Sequence, residues 1–223
     1  MLEFEEKYWN KGVLQVAGLD EAGRGPLAGS VVAGTVVFDK DFLLSEKNND
    51  IMSQINDSKQ LKEKTREEIF EYLISTDGIQ YAVGEASPEE IDDINILQAT
   101  WVAMRRAINN LKSKPDIILV DGLPVKGLPV DSESIVKGDS KSISIAAASI
   151  IAKVTRDRQI KELDKLYPLY GFASHKGYGT KKHIEALNKY GPCPIHRKTF
   201  KPVADVIHKA NGTGEFSQTE FDF

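Results

Sequence analysis

Apolar residues along this chain fall into short dense runs and into wider, helically spaced sets. Residues 13–19 (VLQVAGL) form a mostly apolar run that closes on Asp20-Glu21, and residues 30–38 (SVVAGTVVF) form a second run rich in β-branched side chains. Both predict strands, because branched side chains pack well on a pleated surface. Residues 39–60 are polar and irregular and predict a surface loop. Helical spacing of Ile69, Tyr72 and Leu73 predicts a helix over 62–75, followed by a short strand at 79–83. Ser87-Pro88-Glu89-Glu90 is a strong helix start, with an N-cap, a proline at the first position and acids on the positive dipole end. The helix or helix pair it opens runs to about Lys112, ahead of Pro115. Residues 116–120 (DIILV) read as a strand buried on both faces that stops at Asp121-Gly122. One long helix with an Ala-rich first half is expected over 140–166, closed by Pro168. A loop at 170–179 then leads to Thr180, the N-cap of a helix ending near Gly191. This order predicts an α/β layered domain with a mixed sheet, antiparallel at its start.

Composition narrows the class. The chain has 223 residues, 41% apolar and 28% charged, too apolar for disorder and too charged for a membrane protein. Its longest apolar stretch, 143–152, is interrupted by Ser144 and Ser149 and is too short to span a bilayer. The N-terminus (MLEFEEKYWN) has no apolar core segment, so no signal peptide is expected. A single cysteine, Cys193, excludes an intramolecular disulfide and a thiolate-rich zinc site. The expectation is a cytoplasmic monomer of one domain over 1–223. It has a core at about 13–168, a helical extension at about 169–210 and a mobile tail at 211–223. Net charge is −4, which argues against nucleic acid, yet the distribution is uneven. Of 29 basic and 33 acidic residues, 14 and 5 lie in 134–201, leaving 15 and 28 elsewhere. One segment therefore carries +9 and the remainder −13, enough for a positive face on an acidic protein, or for a set of solvated helix faces.

The richest segment is 18–29 (GLDEAGRGPLAG). Gly23, Gly25 and Gly29 follow a strand as in a dinucleotide site, but too few residues remain for the crossover helix that would hold a pyrophosphate. Asp20 and Glu21 would also repel it. Neighbouring strand residues point to opposite faces, so both acids reach one site only if the chain bends, which Gly23 and Gly25 permit. Close carboxylates repel unless a cation lies between them, and hard divalent ions prefer such ligands. An exposed acidic turn is the bland alternative. Asp121, at the end of a buried strand, and Asp139, ahead of the Ala-rich helix, complete a set of four acids at element ends. Asp139 would otherwise be an N-cap. Four such acids fit a two-metal phosphodiester site.

The chain also carries an ordered set of short motifs. They are DEAGRGPLAG at 20–29, DSKQL at 57–61, VDG at 120–122, KGDS at 137–140, AASIIAKVTRD at 147–157, YGF at 170–172 and HKGYGT at 175–180. Together they resemble bacterial ribonuclease HII over roughly 13–202. The resemblance implies the ribonuclease H fold, a mixed five-stranded sheet flanked by helices. It implies an endonuclease that cuts the RNA strand of RNA–DNA hybrids, nicks duplex DNA 5′ of an embedded ribonucleotide and serves ribonucleotide excision repair. By the same resemblance, Asp20, Glu21, Asp121 and Asp139 bind two Mg²⁺ or Mn²⁺ ions, Gly23-Arg24-Gly25 surrounds the ribose 2′-OH, and Tyr178 stacks on the next deoxyribose. Those roles suit the chemistry: a 2′-OH both donates and accepts hydrogen bonds, and glycines let the backbone approach it.

Lys59, Lys141, Lys153, Arg156, Lys176 and Lys181 are candidate phosphate contacts, alongside others that are simply solvated. Arg156 and Asp157 could pair. His175, His183 and His196 lack zinc-site spacing and read as surface or phosphate-contacting residues. Cys193 has no identifiable base partner, and Trp101 reads as core. Gln218, Phe221 and Phe223 resemble the short peptides with which repair enzymes hold the bacterial sliding clamp. Two rivals stay open: another two-metal nuclease of the same fold, and a non-catalytic hybrid-binding module. Gly-Arg-Gly and Tyr178 count against a DNA-only enzyme, and the retained carboxylates count against a pure binder.

Overall fold

The computed structural model describes residues 1–46 and 49–213. Five strands form one sheet: β1 Val16–Ala22, β2 Val31–Phe38, β3 Ile79–Ala86, β4 Ile117–Asp121 and β5 Ser132–Ile135, in the order β3-β2-β1-β4-β5. The first three pair antiparallel, whereas β4 runs parallel to β1 and β5 parallel to β4. This is the mixed five-stranded sheet expected above. The helices are α1 Glu3–Trp9, α2 Lys40–Glu46, α3 Glu63–Ser75, α4 Pro88–Asn109, α5 Ile143–Leu166, α6 Phe172–His175, α7 Lys181–Tyr190 and α8 Lys201–Thr213.

Strand alternation divides the core in two. Val16, Val36 and Phe38 face α5, α3 and α1, while Ala17, Leu19, Ala33 and Val37 face α4. On the first face two glycines let α5 lie directly on the sheet. A Cβ on Gly18 would sit 2.0 Å from the Ser144 carbonyl carbon, and one on Gly34 would sit 2.5 Å from the Ala148 oxygen. The start of α5 is tied down from outside. Ser142 caps it by accepting from the Ile145 N–H at 3.2 Å, and the buried Glu5 of α1 accepts from Ser142 Oγ at 2.6 Å and the Ser144 N–H at 3.0 Å. Asp139 is therefore not this helix's N-cap; it lies one turn earlier, on the 3₁₀ turn Gly138–Ser140.

Several expectations need correction. The predicted loop at 39–60 contains α2 and a 3₁₀ turn, because Leu43, Met52 and Ile55 bury themselves against the sheet's first face. β5 (SESI) has one buried residue and owes its strand geometry to backbone pairing with β4. α1 forms because Trp9 is buried. The helix or helix pair expected from Ser87 is a pair, α4, broken at Asn95 (φ +67°), whose side-chain oxygen caps the Leu97 N–H at 3.0 Å. Trp101 is only partly buried, with Lys126 Nζ 5.6 Å from its ring. α8 continues to Thr213, three residues into the segment expected to be a tail, and Gln218, Phe221 and Phe223 lie outside the described residues.

Because the atoms that a Gly18 Cβ would meet are helix backbone, they cannot rotate away. Gly18→Ala should therefore cost about 3 kcal/mol or more in urea unfolding. A midpoint equal to that of the parent chain would show that α5 can lift off the sheet.

Candidate active site

Parallel pairing of β1 and β4, in register through Leu19 and Val120, brings the next residues, Asp20 and Asp121, to the same edge of the sheet. A carboxylate oxygen from each of Asp20, Asp121 and Asp139 lies within 4.8 Å of the others. Asp20 and Asp139 are 4% and 7% exposed, so little water screens them. Asp121 Oδ1 accepts from the Gly138 N–H at 2.7 Å, which ties the β4 end to the turn carrying Asp139. Glu21 stands beside this trio, held by Arg24 Nη1 at 3.3 Å.

The electrostatics follow from burial and crowding. Burial, then the charges of Glu21 and Asp121, push the Asp20 carboxyl well above its usual range. Burial raises Glu21 against the pull of Arg24, and burial together with Asp121 and Asp57 raises Asp139. Burial alone would lower the Lys59 ammonium, but Asp20, Asp57, Asp139 and Asp121 together outweigh it and raise it. Crowded, poorly hydrated oxygen ligands of this kind fit a hard divalent cation.

A cavity of about 410 Å³ opens beside these acids, lined by Asp20 and Glu21, by Gly23, Arg24 and Gly25, by Lys59 and Lys153, and by Tyr178. Gly23 has φ +99°, and a Cβ there would lie 2.1 Å from Arg156 Nε. Gly25 faces the Tyr178 ring, whose Cε1 would be 3.4 Å from an added Cβ. Tyr178 itself is 47% exposed. Asp20, Glu21 and the Gly-Arg-Gly loop thus share one space.

The basic candidates divide. Lys59, Lys153 and Arg156 line the cavity, although Lys153 also pairs with Asp157 at 2.7 Å. It is thus Lys153, not Arg156, that pairs with Asp157. Lys141 donates to the Val136 carbonyl at 2.7 Å and Lys176 to the Ala173 carbonyl at 2.5 Å, while Lys181 is exposed on α7 near Glu185. Arg156 is 1% exposed and donates to the carbonyls of Ser30, Lys176 and Ala28, which makes it a brace for the loops. His183 and His196 are buried, not on the surface, and their Nε2 atoms are 3.1 Å apart. Cys193 does have a base neighbour, His196 Nδ1 at 3.1 Å, but burial pushes the thiol up to about 12 and the imidazole down to about 3. Neither group is reactive in those states. Asp57, Arg66 and Arg197 were not among the expected site residues. Asp57 stood in the DSK motif and Arg66, which lines the cavity, within the predicted helix 62–75, but neither position marks a site role. Arg197 is one of several basic residues near the end of the chain.

A mixed sheet of this order, with carboxylates gathered where two parallel strands end, defines a ribonuclease H-like nuclease. The family model for ribonuclease HII matches residues 17–203. Ribonuclease HII of Endomicrobium trichonymphae is 54% identical over 208 residues, covering 93% of this chain and 95% of the relative. That of Clostridioides difficile is 54% identical over 197 residues, covering 88% and 74%. Among solved structures, ribonuclease H2 from Pyrococcus horikoshii has a TM-score of 0.72 at 31% identity, covering 89% of this chain and 99% of that one. The PCNA:RNase HII complex from Archaeoglobus fulgidus has a TM-score of 0.67 at 28% identity, covering 84% and 95%. The chain belongs to the ribonuclease HII family and is a type 2 ribonuclease H, a metal-dependent endonuclease. No described helix is long and apolar enough to cross a membrane.

The raised Asp20 carboxyl has a consequence for stability. In the unfolded chain it titrates near 3.8, below its folded value, so as pH rises the unfolded state loses the proton first. Across that window this group opposes folding of the metal-free protein, and its contribution to stability falls from acid toward neutral pH. Asp20→Asn should raise the metal-free Tm at neutral pH, by about 2–4 °C for each kcal/mol of repulsion removed. The gain should vanish below the ordinary carboxylate range. Thermal unfolding in chelator at both pH values checks this, and an unchanged Tm at neutral pH would contradict it.

Proposed function

We propose that the chain cuts the RNA strand of RNA–DNA hybrids and nicks duplex DNA on the 5′ side of an embedded ribonucleotide, leaving 3′-hydroxyl and 5′-phosphate ends. Asp20, Glu21, Asp121 and Asp139 would hold Mg²⁺ or Mn²⁺. When bound, two such ions supply an activated water and a stabilised leaving oxygen for in-line displacement. The protein's own part is positioning. Asp121 and Asp139 are fixed relative to one another through the Gly138 N–H, and Asp20 by the sheet register. The Gly23-Arg24-Gly25 backbone meets the ribose 2′-OH without side-chain obstruction at 23 and 25, and Tyr178 closes on the following sugar. Lys59 and Lys153 contact phosphate from the cavity wall. The observation that carries this reading is the cavity shared by Asp20, Glu21, the Gly-Arg-Gly loop and Tyr178, with Asp121 and Asp139 gathered against Asp20. We read the enzyme as a cytoplasmic monomer acting in ribonucleotide excision repair.

The test is cleavage of a duplex with one ribonucleotide, with and without Mg²⁺ or Mn²⁺, against an all-DNA duplex of the same sequence. Equal cutting of both would remove the 2′-OH reading. Asp121→Asn keeps an oxygen to accept from Gly138 while removing a ligand charge. It should lower turnover at least about a thousandfold, with the fold and duplex binding retained. Near-normal turnover would remove Asp121 from the metal site.

A sliding clamp is proposed as a partner through Gln218, Phe221 and Phe223. Support comes from the sequence of that tail and from the ribonuclease HII of Archaeoglobus fulgidus, solved in complex with PCNA. A glutamine can bond at a pocket's edge while aromatic rings fill it, and tethering raises the local enzyme concentration on DNA. Deleting residues 218–223 should leave cleavage of short oligonucleotides unchanged and abolish clamp binding in a titration. Binding that survives the deletion would end the assignment.

A further inference from the structure

Residues 195–197 pair with residues 27–29: the Gly29 N–H donates to the Ile195 carbonyl at 2.9 Å, the Arg197 N–H donates to the Leu27 carbonyl at 2.8 Å, and Ala28 and His196 form a bridge. Adjacent side chains on such a segment leave in opposite directions. Arg197 is fully buried and has no carboxylate within ion-pair distance among the described residues. Its guanidinium donates to the carbonyls of Gly23 at 2.6 Å, Arg24 at 3.0 Å, Pro26 at 2.8 Å and Gly29 at 2.7 Å. No peptide bond here is cis, so each carbonyl and the following N–H point to opposite sides. Turning the Gly23 and Arg24 carbonyls toward Arg197 therefore turns the Arg24 and Gly25 N–H groups away from it. Neither N–H meets a protein acceptor among the described residues, and both residues line the cavity from which Arg197 is absent.

His196 works on the other loop. The Cys193 N–H donates to His196 Nδ1 at 3.0 Å, which leaves the proton on Nε2 to be donated to His183 Nε2 at 3.1 Å. His183 then carries its proton on Nδ1 and donates to the Tyr178 carbonyl at 2.9 Å. The chain has one direction and needs no charge. Burial holds both imidazoles below their ordinary range, so the neutral forms persist.

We propose that Arg197 and the His196–His183 pair are positioning residues for substrate selection: Arg197 aims two backbone N–H groups at the ribose, and the histidines set Tyr178 at the next sugar. Because Arg197 and His196 are neighbours on one segment, they also fix the spacing between the two readers. This rests on the roles given above to Gly23-Arg24-Gly25 and Tyr178. It adds the groups that hold them.

Single-turnover cleavage of a one-ribonucleotide duplex and of a uniform RNA–DNA hybrid separates the two arms. Arg197→Lys keeps the charge but cannot span four carbonyls. It should slow both substrates about 30-fold or more, while apparent duplex affinity moves less than about threefold. His183→Leu should slow only the junction substrate, by about 5–10-fold, because in a uniform hybrid the following sugar is a ribose whose 2′-oxygen would crowd the Tyr178 ring. His183→Asn, which retains a donor at the Nδ1 position, should restore most of that loss. For His183→Leu, general loosening would instead slow both substrates in parallel, and for Arg197→Lys it would lower duplex affinity along with the rate. A folded Arg197→Lys with the parent rate, or His183→Leu with equal losses on both substrates, overturns the proposal. Should Arg197→Lys fail to fold, Phe200→Leu, which removes the ring lying 5.1 Å from the guanidinium, takes its place and is read the same way. If the parent chain itself fails to distinguish a ribonucleotide from DNA, the underlying reading fails. Intact selectivity with unaffected variants removes only the positioning roles.

Discussion

Three carboxylates held within 4.8 Å of one another, two of them nearly dry, are the arrangement around which this molecule is organised. Left to themselves they would separate or take up protons, and the raised Asp20 and Asp139 carboxyls record that tendency. The fold prevents separation through backbone. Asp20 is held by its ladder to β2 and follows directly on the last β1–β4 pair, Asp121 ends the neighbouring parallel strand, and Asp139 lies on a turn bonded back to Asp121 through the Gly138 N–H. None of these restraints depends on a cation. The site is thus built in advance of any ion it takes, and its cost in the metal-free chain is borne by the core.

That core is arranged to bear it. Gly18 and Gly34 let α5 rest on the sheet at backbone distance, and Glu5 and Ser142 fix where the helix begins. The same helix continues to Lys153, which lines the cavity, and to Arg156, which braces the loops. One rigid element therefore connects the turn of Asp139 with the far wall of the site.

The substrate-facing loops follow a different principle. Besides small apolar clusters around Leu27 and Phe172, they are held by buried guanidinium groups that serve carbonyls in place of acids. Arg197 and Arg156 together occupy the carbonyls of Gly23, Arg24, Pro26, Ala28, Gly29, Ser30 and Lys176. Burial and their mutual repulsion lower the Arg197 guanidinium to about 9, still charged at neutral pH. A cation shared among many carbonyl dipoles fixes the glycine-rich stretch 23–25, while Leu27 and Ala28 just beyond it pack into small apolar clusters.

Strand ends and helix starts were legible because local patterning decides them. The apolar runs before Asp20 and Asp121, the capping signal at Ser87 and the Ala-rich stretch of α5 each carry their instruction within a few residues. The acids were legible for the same reason, each standing at the end of a readable element. β5, α1 and α2 were not, because pairing with β4 makes the first a strand, and single anchors such as Trp9 and Leu43 hold the others. The histidines and Arg197 were misread or missed because nothing in their neighbourhoods marks a buried polar residue. Arg197 is held by backbone carbonyls, which the sequence does not encode as residue types, and the two histidines meet each other only through the fold. Position along the chain determined which carboxylates end strands. Only the tertiary structure decided which of them meet, and which cations are withdrawn from solvent to hold the loops around them. Both outcomes depend on contacts between segments more than a hundred residues apart.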